Sequence, residues 1–435
     1  MLRKLLAVLI ALLTMSVVWA PAASAYQPRE GGTFNVPRPW GSDKAKYRIV
    51  RHVEKAIRKT RPTASDPNPI ILISTYLLDR SQSVDALVGA CRRGVSVRVI
   101  MDEDINNRNS KRIIKVLNGD NPRANGNIKT GPCGRDKRAP GKQELTDAQA
   151  MESLREPDAA SASWGGDRSY AKKCAGACRG AGGNMHSKFY GFSKSGKANN
   201  VVMVSSSNLN KGGALLGWND LYTMRNRVKS FDEYRVIHRE MTDDKKANDQ
   251  LRQIKDGPYT SRFFPMRSTG KSSDPTLKDL NRIRCQSAYG RTQVHVSMFY
   301  WAKSRGEYLA SKLLNLARSG CRVNIIYGAP SVKIATRLRD AARRNLINLY
   351  DSRWDHNNDG YNEVRTHTKY VLVKGAFGGD RSSHQVLTGT QNWVNGSLSR
   401  GDENSLNIAL RSAYVDYIRN WADIRRHSRR LPYNR

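Results

Sequence analysis

One stretch of this chain is written twice, and that duplication constrains the fold more than any other feature. "NPIILISTYLLDRSQSVDALVGACRRGVSVRVIMD" opens with an apolar strand from Ile70 to Leu78 and continues with a helical pattern through Val84, Leu87, Val88 and Cys91. Gly94 and an alternating strand through Val95, Val97 and Val99 close it. "TQVHVSMFYWAKSRGEYLASKLLNLARSGCRVNIIYG" repeats the order. Its strand runs from Val294 to Trp301, its helix through Leu309, Leu313, Leu316 and Ala317, and Gly320 precedes a strand with Val323 and Ile325. Strand, helix, glycine, strand is a βαβ unit, which places its two strands side by side in a parallel sheet. Gly94 and Gly320 stand where a helix ends in a left-handed cap. The fold class is therefore α/β, in two like halves.

A segment from about Ile105 to Gly183, rich in Gly, Asn, Lys and Arg, interrupts the first copy and reads as a disulfide-pinned insertion. "GPYTSRFFPMRSTGKSSDPTLKD", residues 257–279, has the composition of a linker, so the halves divide near residue 275: 26–275 and 276–435. Residues 1–25 read as a secretory signal peptide. Arg3 and Lys4 precede an apolar run from Leu5 to Trp19, and Ala23-Ser24-Ala25 is a small-x-small cleavage site. The run is short for a membrane span, and no later stretch offers the roughly 20 apolar residues that a span needs. A secreted, unanchored chain of about 410 residues is the expectation, with a monomer as its simplest state.

A duplicated scaffold should carry a duplicated site. "GGNMHSKFYGFSKSG" places His186 and Lys188 two apart in an extended segment, where they share a face. "RTHTKYVLVKG" does the same with His367 and Lys369. Asn208 in "VVMVSSSNLN" follows its histidine by 22 residues, and Asn392 in "QVLTGTQNW" follows its own by 25. An acid comes next in each copy: Asp220 in "GWNDLYTM" and Glu403 in "GDENSLNI". About one residue in six is Lys or Arg, so eight histidines yield roughly one His-x-basic triplet by chance. "HSR" at His427 is such a triplet; with no acid behind it and no Asn at the spacing of the other two, it reads as solvated surface. The ordered set found twice is the stronger observation.

These residue types suit a phosphodiester. Lys188 and Lys369 would hold the charge on its non-bridging oxygens, and Asn208 and Asn392 would donate hydrogen bonds to them. One histidine can attack phosphorus while the other protonates the leaving alcohol and then activates water or an acceptor alcohol. Each imidazole needs its second nitrogen held by an acceptor, a role open to Asp220 and Glu403. With two lysines carrying the charge, neither metal nor cofactor is required.

The same residues resemble the phospholipase D superfamily, whose motif pairs His-x-Lys-x4-Asp with a downstream Gly-Ser-x-Asn, twice. "HSK" with "SSSN" and "HTK" with "GTQN" match its catalytic positions. The resemblance implies two pseudo-twofold-related α/β sandwich domains with mixed, largely parallel sheets. It also implies one active site between them, a phosphohistidine intermediate formed on His186, and His367 as the acid. Two positions depart from the motif: Ser193 and Lys374 stand where the family has Asp. Neither attack nor proton transfer needs that residue, so activity should survive.

Charge bounds the partners. Without Arg3 and Lys4 the net charge of +36 becomes +34, which suits nucleic acid, an anionic membrane or an acidic polymer. Three readings follow: a phospholipase D cleaving or transferring phospholipid head groups, a nuclease of the same superfamily, and a non-catalytic polyanion binder. No aromatic-basic interleaving of the kind that stacks bases is visible. Six cysteines (Cys91, Cys133, Cys174, Cys178, Cys285 and Cys321) allow 15 pairings, and disulfides suit an exported chain better than zinc on "CAGAC". "DHNNDGYNEVRT" begins like a calcium loop but has Thr366 where a bidentate Glu is needed, so a polar turn is expected. "RNWADIRRHSRRLPYNR" reads as a basic surface helix or anion-binding arm.

Overall fold

The computed structural model describes residues 26–118 and 169–432. The expected signal-peptide segment, most of the expected insertion and Cys133 lie outside them. The chain builds two mixed sheets. The first runs, edge to edge, Gly31–Phe34, Asp220–Met224, Ala198–Ser205, Phe189–Ser195, Ile70–Thr75, Ser96–Asp102 and Tyr170–Cys174. Six strands of the second follow the same order: Glu403–Ile408, Asp380–Gly389, Lys369–Phe377, Gln293–Trp301, Arg322–Pro330 and Asn348–Asp351. The duplication is thus real at the level of topology. In each half the βαβ strands pair in parallel and the strands on the histidine side pair antiparallel. Gly94 at φ +88° and Gly320 at φ +97° make the left-handed helix ends.

Alternation along the strands supplies three cores. Val201 and Met203 face an outer layer of helices Arg48–Lys59, Ser81–Arg92 and Arg108–Asn118, while Val202 and Val204 face inward. The second sheet is covered outside by Lys303–Arg318 and Val332–Arg343. Between the sheets lie two helices, Val228–Thr242 and Arg411–Arg426, which bring Phe231, Tyr234, Tyr417 and Trp421 into one central core. Removing one aromatic side chain of that kind from a core costs about 3–5 kcal/mol.

Four sequence expectations change here. The expected insertion from 105 to 183 itself contains elements with counterparts in the second half: Arg108–Asn118 matches Val332–Arg343, and Tyr170–Cys174 matches Asn348–Asp351. The 257–279 segment is no linker, because Tyr259, Ser261 and Phe263 alternate into the core from a strand of the second sheet. Arg252–Asp256 joins that sheet too, so the divide between sheets precedes residue 275. The basic terminal helix is a packing element, with Tyr417, Trp421 and Ile424 buried beneath its arginines. His427 is not solvated surface: its ring lies 4.6 Å from Trp40 and 5.4 Å from Trp218. Cys174–Cys178 and Cys285–Cys321 form disulfides, and Cys91 is buried outside either. Among the described residues no helix is long and apolar enough to cross a membrane.

Candidate active site

His186 and His367 sit just ahead of equivalent central strands, Phe189–Ser195 and Lys369–Phe377. Each is clamped to the opposite half. The His186 amide donates to Asp402 O at 3.0 Å, and the His367 amide to Trp218 O at 2.8 Å. The imidazoles follow the same rule. His186 Nδ1 lies 2.9 Å from Glu403 Oε2, and His367 Nδ1 lies 2.8 Å from Asn219 Oδ1.

The second of these pairs corrects the sequence reading, which assigns the role to Asp220. Consecutive strand residues point to opposite faces. Asn219 therefore meets the ring, while Asp220 is buried, accepting from Thr388 Oγ1 at 2.6 Å and Tyr417 OH at 3.0 Å. The spacing that reveals it runs from the downstream asparagines: Asn219 follows Asn208, and Glu403 follows Asn392, by eleven residues each. Asn219 Nδ2 donates to Gly213 O and Gly217 O at 3.0 Å, which turns its Oδ1 toward the imidazole. Both histidines are thus donors at Nδ1, and Nε2 is left for chemistry.

The lysines lie beside the rings. Lys188 Nζ donates to His186 O at 2.5 Å, and Lys369 Nζ to His367 O at 2.5 Å, with His367 Nε2 at 3.2 Å. Tyr76, just past the strand Ile70–Thr75, and Phe299, near the end of Gln293–Trp301, are not singled out by the sequence, and each lines the cleft of its histidine. The Tyr76 ring is 5.5 Å from His186 and 5.6 Å from Lys188 Nζ. The Phe299 ring is 4.8 Å from His367 and 5.3 Å from Lys369 Nζ. Their only signal in the sequence is position in the repeat.

Electrostatics couple the two halves. Burial pushes Lys188 down to about 7, against the pull of Glu403 and Asp102. Burial, then the nearby Lys188, holds Lys369 well below its ordinary value. His186 is lowered by burial, a change that Glu403 opposes and both lysines reinforce. His367 is lowered further, by burial and then by Lys369, Lys188 and His186. Burial works to raise Glu403, but His186 and Lys188 outweigh it and keep it an anion. The result is a centre in which burial and mutual repulsion work against charging both lysines and both histidines at once. A phosphate monoanion is the kind of guest that would restore those charges.

Asn208 and Asn392 are also brought in. Asn208 Oδ1 accepts from Leu77 N at 3.2 Å, leaving its NH2 to donate, and Asn392 Oδ1 is buried without a partner. Two clefts meet the histidines, each lined from both halves. One of about 640 Å³ holds His367, Asn208, Phe299, Arg353, Tyr361 and Arg365. The other, about 420 Å³, holds His186, Asn392, Tyr76, Tyr300, Arg400 and Glu403. Ser193 and Lys374 line neither cleft. Ser193 Oγ bonds Asp66 Oδ2 at 2.8 Å, and Lys374 lies 5.0 Å from the Tyr289 ring.

Both halves of the chain match a known family. The family described as cardiolipin synthase, PLD-like domain matches residues 67–241 and 285–423, once in each half. The chain belongs to this phospholipase D-like family. No curated protein sequence matches it. Among solved structures, the phosphatidylserine synthase of Haemophilus influenzae superposes with a TM-score of 0.51 at 13% identity, over 94% of this chain and 89% of its own. A polyphosphate kinase from Porphyromonas gingivalis superposes with a TM-score of 0.50 at 11% identity over 90% of this chain, which spans 46% of that protein. At such identities the likeness is one of fold. Members of the family process phosphodiesters, and the chain is placed with them by its two matched halves.

Three acids, of which Glu363 lines the His367 cleft, could hold a cation. Oxygens of Asp355, Asp359 and Glu363 lie within 4.8 Å of one another. Each already serves the turn: Asp355 Oδ2 accepts from Gly360 N at 2.8 Å, Asp359 Oδ1 from Tyr361 N at 2.9 Å, and Glu363 Oε2 pairs with His356 Nδ1 at 3.0 Å.

Proposed function

We propose that the protein is an exported phosphodiesterase that works through a phosphohistidine on His186. One observation carries the reading: two imidazoles, each fixed at Nδ1 by an acceptor from the opposite half, with a buried lysine beside each. His186 Nε2 attacks phosphorus in line and the bond to the leaving oxygen breaks, with His367 supplying the proton to that oxygen. His367 then takes a proton from water or an acceptor alcohol, whose oxygen attacks phosphorus and releases His186. Glu403 favours His186 as nucleophile, because attack leaves positive charge on the ring and a carboxylate stabilises it better than the Asn219 amide. Lys188 and Lys369, with Asn208 and Asn392, hold the non-bridging oxygens. Two disulfides support export.

Two substrates remain in view. A phospholipid head group is supported by the family description and by the fold shared with a phosphatidylserine synthase over most of both chains. A nucleic acid strand is supported by the His367 cleft, where Arg353 and Arg365 lie with the exposed ring of Tyr361. Turnover of phosphatidylcholine vesicles with ethanol, plasmid DNA and single-stranded DNA tests both, in chelator. Phosphatidylethanol establishes the lipase and nicked or shortened DNA the nuclease. Either product must vanish in His186→Ala and His367→Ala proteins that still fold, and full activity in either variant overturns the mechanism.

A further inference from the structure

A third cleft, of about 580 Å³, opens at the edge of the second sheet, lined by Arg339, Arg343, Asp351, Arg353 and Arg429. Four guanidiniums face one carboxylate there. Asp351 is already engaged: Arg353 binds it at 2.9 and 2.7 Å, and Arg429 at 3.4 Å. Counting Asp340, which pairs with Arg343 at 2.9 Å, the cations still outnumber the acids. The walls are rigid elements, the helix Val332–Arg343 and the strands Asn348–Asp351 and Arg429–Leu431. Arg353 lines both this cleft and the His367 cleft, so the two are neighbours across one side chain. At the equivalent strand end of the first half stands the Cys174–Cys178 disulfide.

The polarity of the active site says what this cleft would meet. If His186 attacks and His367 protonates the leaving oxygen, the leaving group occupies the His367 side. That side carries Arg365, Arg353 and Tyr361 with one carboxylate, Glu363, then the arginine cleft. A neutral or cationic head-group alcohol has no use for four arginines. A chain with a further phosphate does, since guanidinium forks match phosphate oxygens. We propose that the arginine cleft is a second phosphate subsite, holding a backbone phosphate of the leaving strand of a single-stranded nucleic acid. The assignment rests on the phosphodiesterase reading for its direction.

Fluorescein-labelled oligothymidylates of two and twelve nucleotides test it by anisotropy at several salt concentrations, with His186→Ala protein to prevent turnover. Arg339→Gln/Arg343→Gln in that background should bind the twelve-mer at least tenfold more weakly while binding the dinucleotide unchanged. The slope of log affinity against log salt should fall by about 0.7 for each phosphate that the protein no longer neutralises. Arg343→Gln alone, at a side chain 65% exposed, controls for folding and should show part of the loss. Unchanged twelve-mer affinity and slope overturn the subsite. Lost binding to phosphatidylglycerol vesicles with DNA binding intact overturns the nucleic-acid occupant. Failure of the underlying reading shows separately, as wild-type protein inert toward bis(p-nitrophenyl) phosphate. The double variant, otherwise wild type, should cleave that small diester at the normal rate.

Discussion

Glu403→Gln isolates what the carboxylate does for His186. The side chain keeps its length and can still accept from Nδ1, now 2.9 Å from Oε2, so the ring stays in place while the charge is lost. A hydrogen bond to a charged partner contributes about 1.5–3 kcal/mol and a neutral one about 0.5–1.5. The difference, about 1–2 kcal/mol, applies where positive charge grows on His186 during attack, and it corresponds to roughly 5- to 30-fold in rate. Bis(p-nitrophenyl) phosphate makes the measurement clean, because p-nitrophenolate leaves without a proton from His367. The single-turnover burst of p-nitrophenolate should therefore slow by that factor in Glu403→Gln. It should change little in Asn219→Asp, which alters the acceptor of the other ring. A burst at the wild-type rate in Glu403→Gln, or a larger loss in Asn219→Asp, would refute the assignment of His186 as nucleophile. Stability offers a second reading. Glu403 is held below the usual carboxylate range by His186 and Lys188 despite its burial, so it stabilises the fold above that range and the gain is lost as pH falls through its lowered value. The Tm of Glu403→Gln should decline less on acidification than that of the wild type.

Burying the Lys188 ammonium is costly. Its value near 7 lies well under the ordinary lysine range, so stability is lost as pH falls from about 10 toward 7, where the unfolded chain takes the proton more readily. Lys188→Met should raise Tm by several degrees at pH 7 in calorimetry while abolishing turnover; a lower Tm would mean the ammonium is well compensated as it stands. Turnover of bis(p-nitrophenyl) phosphate should persist in excess chelator, since Lys188 and Lys369 carry the charge on the phosphate; loss of activity restored by a divalent ion would sink that account.

Much of the centre is legible in the sequence because repetition supplies its own control. His186, Lys188, His367 and Lys369 stand on two matching scaffolds, and local alternation fixes their common face. Glu403 is found for the same reason. Asn219 escapes when distance is counted from the histidines, because the first copy is three residues shorter before its asparagine. Composition hides more. The strand Tyr170–Cys174 carries Lys172, whose ammonium is buried against Thr242 O at 2.5 Å and Asp244 at 2.6 Å, so it does not read as core. Tyr259–Phe264 alternates correctly but lies among Gly, Pro and Ser. The clefts depend on residues far apart in sequence, Arg353 beside Arg429 for one, and no local pattern announces them.

The crossed clamps bear on what a single chain permits. If two identical copies met about a true twofold axis, whatever residue held one imidazole would have to hold the other. Joined in one polypeptide, the two positions are free to differ, and here they do: Glu403 on one side, Asn219 on the other. On the proposed mechanism that difference makes one histidine the nucleophile and the other the acid, and it gives the reaction a direction through the protein.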